Sequence, residues 1–176
     1  MTKFIIFLGL FVCTSAFSQK IAFKTNALYW ATLTPNVGVE VGLSDKTTLE
    51  LNGLMNLFAL DDNKKVNFLA IQPEYRYWFC QSFIQHFVGL HLHYANYNAG
   101  LKKYRYNGNL FGAGVSYGYD WYLSPRWNLE ATLGIGYAYM DHKVYDRPRC
   151  GAFKGFEDRH YFGLTKIGVS IIYFLK

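Results

Sequence analysis

Hydrophobic and polar residues alternate with a period of two along most of the chain. In 36–44, Val37, Val39, Val41 and Leu43 share one face, and Asn36, Gly38, Glu40 and Gly42 the other. That is the spacing of a strand with two unlike faces. It recurs in 47–57, 68–79, 84–96, 107–122, 127–140 and 161–175. In 127–140, Trp127, Leu129, Leu133, Ile135, Tyr137 and Tyr139 oppose Asn128, Glu130, Thr132, Gly134 and Gly136. A first, less regular segment at 21–33 places Lys24 and Asn26 on one face. The pattern predicts about eight strands and almost no helix.

The identity of the inner face decides the class. A soluble barrel buries its apolar face and turns a charged one to water. Here the polar face is Gly, Ser, Asn and a few charges, too small for a solvated exterior but suited to a narrow lumen. The apolar face, with aromatics near strand ends, suits lipid. Trp30, Trp78, Trp121 and Trp127 are expected near the membrane interfaces. The reading is an all-β, closed, antiparallel eight-stranded transmembrane β-barrel. Composition agrees: aromatics are 19% and Gly counts 16, yet charged residues are only 17%, against about 25% in soluble domains.

The N-terminal segment adds an address. Lys3 precedes the apolar run Phe4–Val12, and Ala16 and Ser18 occupy small-residue positions before Gln19. Residues 1–18 read as a cleaved signal peptide, leaving 19–176 as the barrel. A lipoprotein reading is disfavoured because Val12, not a small residue, precedes Cys13.

Connection lengths alternate. Ser44-Asp45-Lys46, Cys80-Gln81-Ser82 and Ser124-Pro125-Arg126 are tight turns, while 59–66, 97–106 and 141–160 are longer and richer in charge. A short connection lies near Thr34-Pro35. Such barrels keep short turns in the periplasm and long loops outside. This puts Cys80 and Cys150 at opposite ends, beyond the ~7 Å Cα limit for a disulfide, so no bridge is expected.

Segments 24–44, 72–80 (QPEYRYWFC), 86–93 (HFVGLHLH), 112–121 (GAGVSYGYDW) and 123–139 resemble an uncharacterised family of small outer-membrane β-barrel proteins, known as a domain of unknown function. The resemblance covers most of the chain after the leader. It implies fold and location, no activity, and a genomic context near surface fimbriae for some members. The architecture is similar to the OmpA and OmpX type. Lys166–Tyr173, with Lys166, Gly168, Ile171 and Tyr173 at the key places, is similar to the β-signal read by the outer-membrane assembly machinery, although the chain ends Phe174-Leu175-Lys176.

Candidate sites follow from parity. Lys24, Glu40, Glu50, Glu74, Arg76, Asp120, Glu130 and Lys166 all point inward. An eight-stranded barrel is just wide enough for its own side chains, and buried charges must be paired. The bland reading is a polar core that locks register; the alternative is a gate of switchable ion pairs, with Glu130 and Lys166 expected as one pair. His91 and His93 share the inward face and, with Glu74, could begin a metal site, though HxH alone is weak. No cofactor is expected. In the longer loops, Lys102, Lys103 and Arg105 interleave with Tyr97, Tyr104 and Tyr106, and Arg147 and Arg149 join Lys143, Lys154 and Arg159. Basic residues beside aromatics suit lipopolysaccharide phosphates or surface glycans; the bland alternative is contact with the anionic leaflet. The net charge of +6 carries no argument for nucleic acid in an exported chain. No Ser–His spacing suits a lipid-modifying enzyme; His142 and His160 flank the last long loop, and Ser170 faces inward. The expected role is non-enzymatic, structural or in surface adhesion and fibre association. A narrow pore is the alternative and an enzyme the second.

Overall fold

The structure is a computed structural model and describes residues 20–56, 59–60, 64–101, 104–146 and 153–175. The expected leader lies outside the described residues. The elements are β1 (Ile21–Asn26), α1 (Ala27–Ala31), β2 (Asn36–Ser44), β3 (Thr47–Asn56), β4 (Ala59–Leu60), β5 (Lys64–Trp78), β6 (Gln85–Leu101), β7 (Tyr104–Ser124), β8 (Trp127–Asp146) and β9 (Phe153–Leu175). The two-residue β4 continues the place of β3 beside β5. Eight antiparallel strands thus form a ring, because β1 pairs with β9 as well as β2, and β3 with β5. A row of partners begun at Ala22 runs through Glu40, Glu50, Glu74, His91, Gly114 and Gly136 to Gly163, eleven residues up β9 from Phe174, which is Ala22's own partner. That offset means the strands are strongly tilted.

The tight turns at Asp45-Lys46 and Pro125-Arg126 are each preceded by a register shift, at 42–44 and 122–124. The turn after β5 behaves differently. Phe83 has a positive φ of 65°, and its side chain is buried inside the ring rather than exposed. Leu49, Leu51, Leu90, Leu92, Val115, Leu133 and Ile135 face outward and are exposed. Polar residues of the opposite parity are buried. The ring is therefore apolar outside and holds its buried polar residues within.

Three expectations are corrected. The segment 21–33 is not one strand. Asn26 accepts a hydrogen bond from Leu28 N–H at 3.0 Å and caps α1, so β1 stops at Asn26. Most of the expected loops 97–106 and 141–160 are strand, because a hairpin ladder continues wherever Tyr, Val and Phe permit, even after the apolar alternation fades. Trp78 is not at the rim; it has inward parity and is 0% exposed.

Pro73 sits inside β5 opposite Leu51. It has no N–H to give, and the β5–β6 pairing is interrupted between Ile71 and Glu74. The β1–β9 ladder ends at Asn26 and Ser170, whereas β9 begins at Phe153. Asn26 extends the seam by one step, donating to Ile167 O at 3.1 Å and accepting from Val169 N at 3.2 Å. Between Glu157 and Lys166, no strand among the described residues lies beside β9 on the side away from β8.

Candidate functional site

The interior is layered. At the tight-turn end, Trp78, Phe83, Phe87, Ala22 and Ile172 form an apolar plug, with Phe174 against it. The Trp78 and Phe87 rings lie 4.7 Å apart, and Phe83 meets Phe174 edge-on at 5.1 Å. Trp78 Nε1 donates to Thr48 Oγ1 at 3.0 Å, so its polar edge is satisfied.

Above the plug lies a charge cluster of four carboxylates and three cations. Arg76 holds its centre. Its guanidinium is 2.9 Å from Glu40, 2.8 Å from Glu130 and 3.1 Å from Glu74, and it also pairs with Glu50. Lys24 reaches Glu40 at 2.8 Å, Glu130 at 2.5 Å and Glu50 at 3.6 Å. Lys166 pairs with Glu74 and lies 3.6 Å from Glu50. Hydroxyls complete the shell: Thr48 donates to Glu40 at 2.5 Å, Thr132 to Glu130 at 2.8 Å, and Ser116 to Glu74. Glu40, Glu50 and Glu74 are direct cross-strand neighbours on β2, β3 and β5, an arrangement that like charges tolerate only with cations between them.

The expected Glu130–Lys166 pair does not form. Lys166 lies opposite Gly134, not Glu130, and is drawn to Glu74 across the ring, while Glu130 is taken by Lys24 and Arg76. Asp120 is buried as expected but outside the network. Neither of its oxygens accepts a hydrogen bond, and its cross-strand neighbour is Glu130. Thr48, Ser116, Thr132 and the plug were not singled out from sequence, though each hydroxyl has the inward parity that marks it.

Gly89 admits this packing. A Cβ there would lie 2.2 Å from Glu74 Oε1 and 2.5 Å from Ser116 Oγ.

Next come the histidines. His91 Nε2 meets Thr165 Oγ1 at 2.9 Å, and the two imidazoles are 5.7 Å apart. Glu74 is the cross-strand partner of His91, but its carboxylate is occupied by Arg76, Lys166 and Ser116. Among the described residues no three His, Cys, Asp or Glu side chains gather as metal ligands. The His91–Thr165 contact has the look of a base and a hydroxyl nucleophile. The base lacks an orienting partner, however, because His91 Nδ1 is buried without a hydrogen bond.

Past the histidines the interior opens. A cavity of about 250 Å³ is lined by Leu54, Ala70, Ala95, Leu110, Ala138 and Tyr161, with Gln72, His93 and Thr165 at its floor and Tyr29 of α1 at its side. Small side chains at Ala70, Ala95 and Ala138 leave the space.

Strands β6–β9 continue beyond this level. His142, 4% exposed, bonds Tyr97 Oη at 3.2 Å, meets the Tyr106 ring at 5.1 Å and lies 3.6 Å from Glu157. Of the expected basic–aromatic residues, Lys102, Lys103, Arg147 and Arg149 lie outside the described residues. Tyr104 and Arg105 begin β7, and their side chains also lie outside the description.

In the C-terminal motif, Gly168 faces Asn26, Ile171 is exposed on the outer face, and the Tyr173 ring lies tilted against Trp127, centroids 4.8 Å apart. Cys80 is an exposed free thiol; Cys150 lies outside the described residues.

The model of a family described as "Protein of unknown function (DUF3575)" matches residues 4–175. The chain belongs to that family. Membership in DUF3575 agrees with the resemblance read from the strand motifs and carries no activity with it. No curated protein matches the chain.

Proposed function

We propose that this DUF3575 chain is a closed outer-membrane β-barrel whose role is surface interaction rather than transport or catalysis. The membrane part of the reading rests on the outer face. Along β8 the outward residues run from Trp127 through Leu133 and Ile135 to Tyr139. At ~3.4 Å per residue and a tilt of ~40°, those twelve steps rise about 30 Å, close to the apolar band of ~25 Å in such barrels. Beyond Tyr139, Tyr94 and Phe111 the outward residues become Asp141, Asn96 and Asn109.

One observation carries the functional part: β6–β9 extend past that band, and there, from Glu157 to Arg159, β9 has no described strand beside it on the side away from β8. An unpaired strand edge is a template for an incoming strand. A second copy in the same membrane makes a poor partner there. Both β9 strands would descend in the same sense, whereas the hairpin geometry of this sheet is antiparallel throughout. An extended segment of another surface polypeptide, such as a fibre subunit, suits the edge better. Lipopolysaccharide would surround the barrel, and the assembly machinery would handle it during insertion.

A pore is disfavoured because two stacked layers, the aromatic plug and the charge cluster, would both have to move. The test is paired. Planar bilayers containing the protein should be silent, and an epitope placed within 147–152 should be reached by antibody on intact cells. Discrete conductance steps that vanish in Glu130→Gln would favour the pore; an epitope reached only after permeabilisation would overturn surface display.

A further inference from the structure

Sideways, the interior cavity is walled by α1 packed against β9 rather than by a β ladder. Where β1 stops at Asn26, the wall between α1 and β9 has no backbone ladder, and no backbone hydrogen bond among the described residues joins the two. The cavity lining reaches this seam from both sides, through Tyr29 on α1 and Leu164 and Thr165 on β9. A second cavity, of about 510 Å³, continues from it past Leu28, Leu54 and Ile167, sharing Tyr29. Leu164 and Ile167 are themselves outward residues on the apolar face, opposite Ile135 and Leu133 of β8. The seam therefore lies at the depth of the apolar band, toward its outer half.

We propose that this seam is a lateral portal and that the interior cavity takes a single acyl chain from the surrounding leaflet. The inference rests on the membrane-barrel reading. The lining chemistry selects the ligand. Among the described residues no charged side chain lines either cavity, so a charged headgroup finds no counterion there and stays at the α1 rim. Apart from Gln72, His93 and Thr165 at the floor and Thr32, Thr34 and Asn56 beside α1, the walls are apolar or aromatic, which match methylene groups and reward their transfer at about 0.8 kcal/mol per buried CH₂. The charge cluster and plug seal the far end, so the chain does not pass through the ring. This also accounts for an asymmetry that register locking alone does not. One half of the interior is filled by long charged side chains, and the other is emptied by small ones.

The full mature chain in phospholipid vesicles, photolysed with lipids bearing a diazirine at the chain terminus, tests this directly. Adducts are mapped to residues by mass spectrometry. Bulk lipid labels outward positions such as Leu133 and Ile135 and serves as the internal control. The portal predicts additional adducts on inward Leu54, Leu110 and Tyr161. It also predicts a fall of at least tenfold in those adducts for Ala138→Phe, which fills the cavity, with outward labelling unchanged. Ala95→Leu provides the same filling should the first variant fail to fold. A phospholipid probe and a free fatty acid probe separate the two sources of the chain; inward labelling by either supports the portal. Outward adducts alone, from an inserted protein, would overturn the portal and leave the barrel standing. A protein that alkali extracts from the vesicles would overturn both.

Discussion

The Arg76 guanidinium lies over the Phe87 ring, 4.4 Å from its centroid. This contact joins the two sealed layers of the interior. Phe87 belongs to the aromatic plug, and Arg76 is the one cation that touches all four glutamates of the cluster. Replacing Arg76 by Met keeps the volume and the contact with Phe87 but leaves carboxylates buried against fewer cations. Removing one partner of a buried ion pair costs about 3–5 kcal/mol. The urea midpoint of the reconstituted protein, followed by tryptophan fluorescence, is expected to fall accordingly. Arg76→Lys should fall less, since it keeps the charge and loses only the fork that reaches two sides at once. An unfolding free energy for Arg76→Met within about 1 kcal/mol of the parent would show that the cluster does not organise the ring.

Gly118 has a role that only its neighbour explains. A Cβ at this position would sit 2.3 Å from the Phe87 ring. Gly118→Ala is therefore expected to push the plug aside and cost about 1–3 kcal/mol, the usual range for overpacking. The cost should shrink without vanishing in a Phe87→Leu background, where the ring is gone but the Ala131 carbonyl oxygen would still lie 2.8 Å from the Cβ. A double-mutant cycle on thermal unfolding reads the coupling, and simple additivity of the two changes would sink the explanation.

Period-two alternation made the strands, their inward residues and the ring size legible, since each inward parity assigned to a glutamate, lysine or arginine recurs as burial. Three things were not legible. Pair choice inside the ring depends on stagger: Lys166 and Glu130 sit on adjacent strands but in different rows, so Lys166 bridges to Glu74 instead. The plug depends on Phe83 adopting a left-handed backbone in a turn, which no periodicity encodes. The early end of β1 depends on Asn26 capping α1, a local hydrogen bond that competes with the ladder. Trp78 shows the opposite fault. Its even position already pointed inward with Gln72, Glu74 and Arg76, and the general preference of tryptophan for interfaces masked that signal.

Asp120 gives a prediction of opposite sign to most. Its carboxylate is buried, accepts no hydrogen bond and faces Glu130 directly across the β7–β8 pair. Like charges placed opposite each other in a sheet are destabilising by a few tenths to 1 kcal/mol. Asp120→Asn removes the like-charge opposition while keeping the shape, so stability in alkaline buffer, where both carboxyls are ionised, should rise by roughly that amount. Unfolding midpoints of the two proteins in the same vesicles measure it. A drop would mean that Asp120 has a partner that balances its charge.

The orientation of the ring can be read from one thiol. Cys80 is exposed in the turn between β5 and β6 and is not disulfide-bonded. The tight turns share its end of the ring, and the long β7–β8–β9 extensions lie at the other. If the extensions face the outside, Cys80 faces the periplasm. In a Cys150→Ser background, a membrane-impermeant maleimide added to intact cells should leave the protein unlabelled, and the same reagent after outer-membrane permeabilisation should label it fully. The reciprocal variant, Cys80→Ser with Cys150 retained, should label on intact cells, because residue 150 falls in sequence between Asp146 and Phe153, the far ends of β8 and β9. Labelling of Cys80 on intact cells would invert the ring. That would place the unflanked edge of β9 in the periplasm, where a surface fibre could be met only during its export.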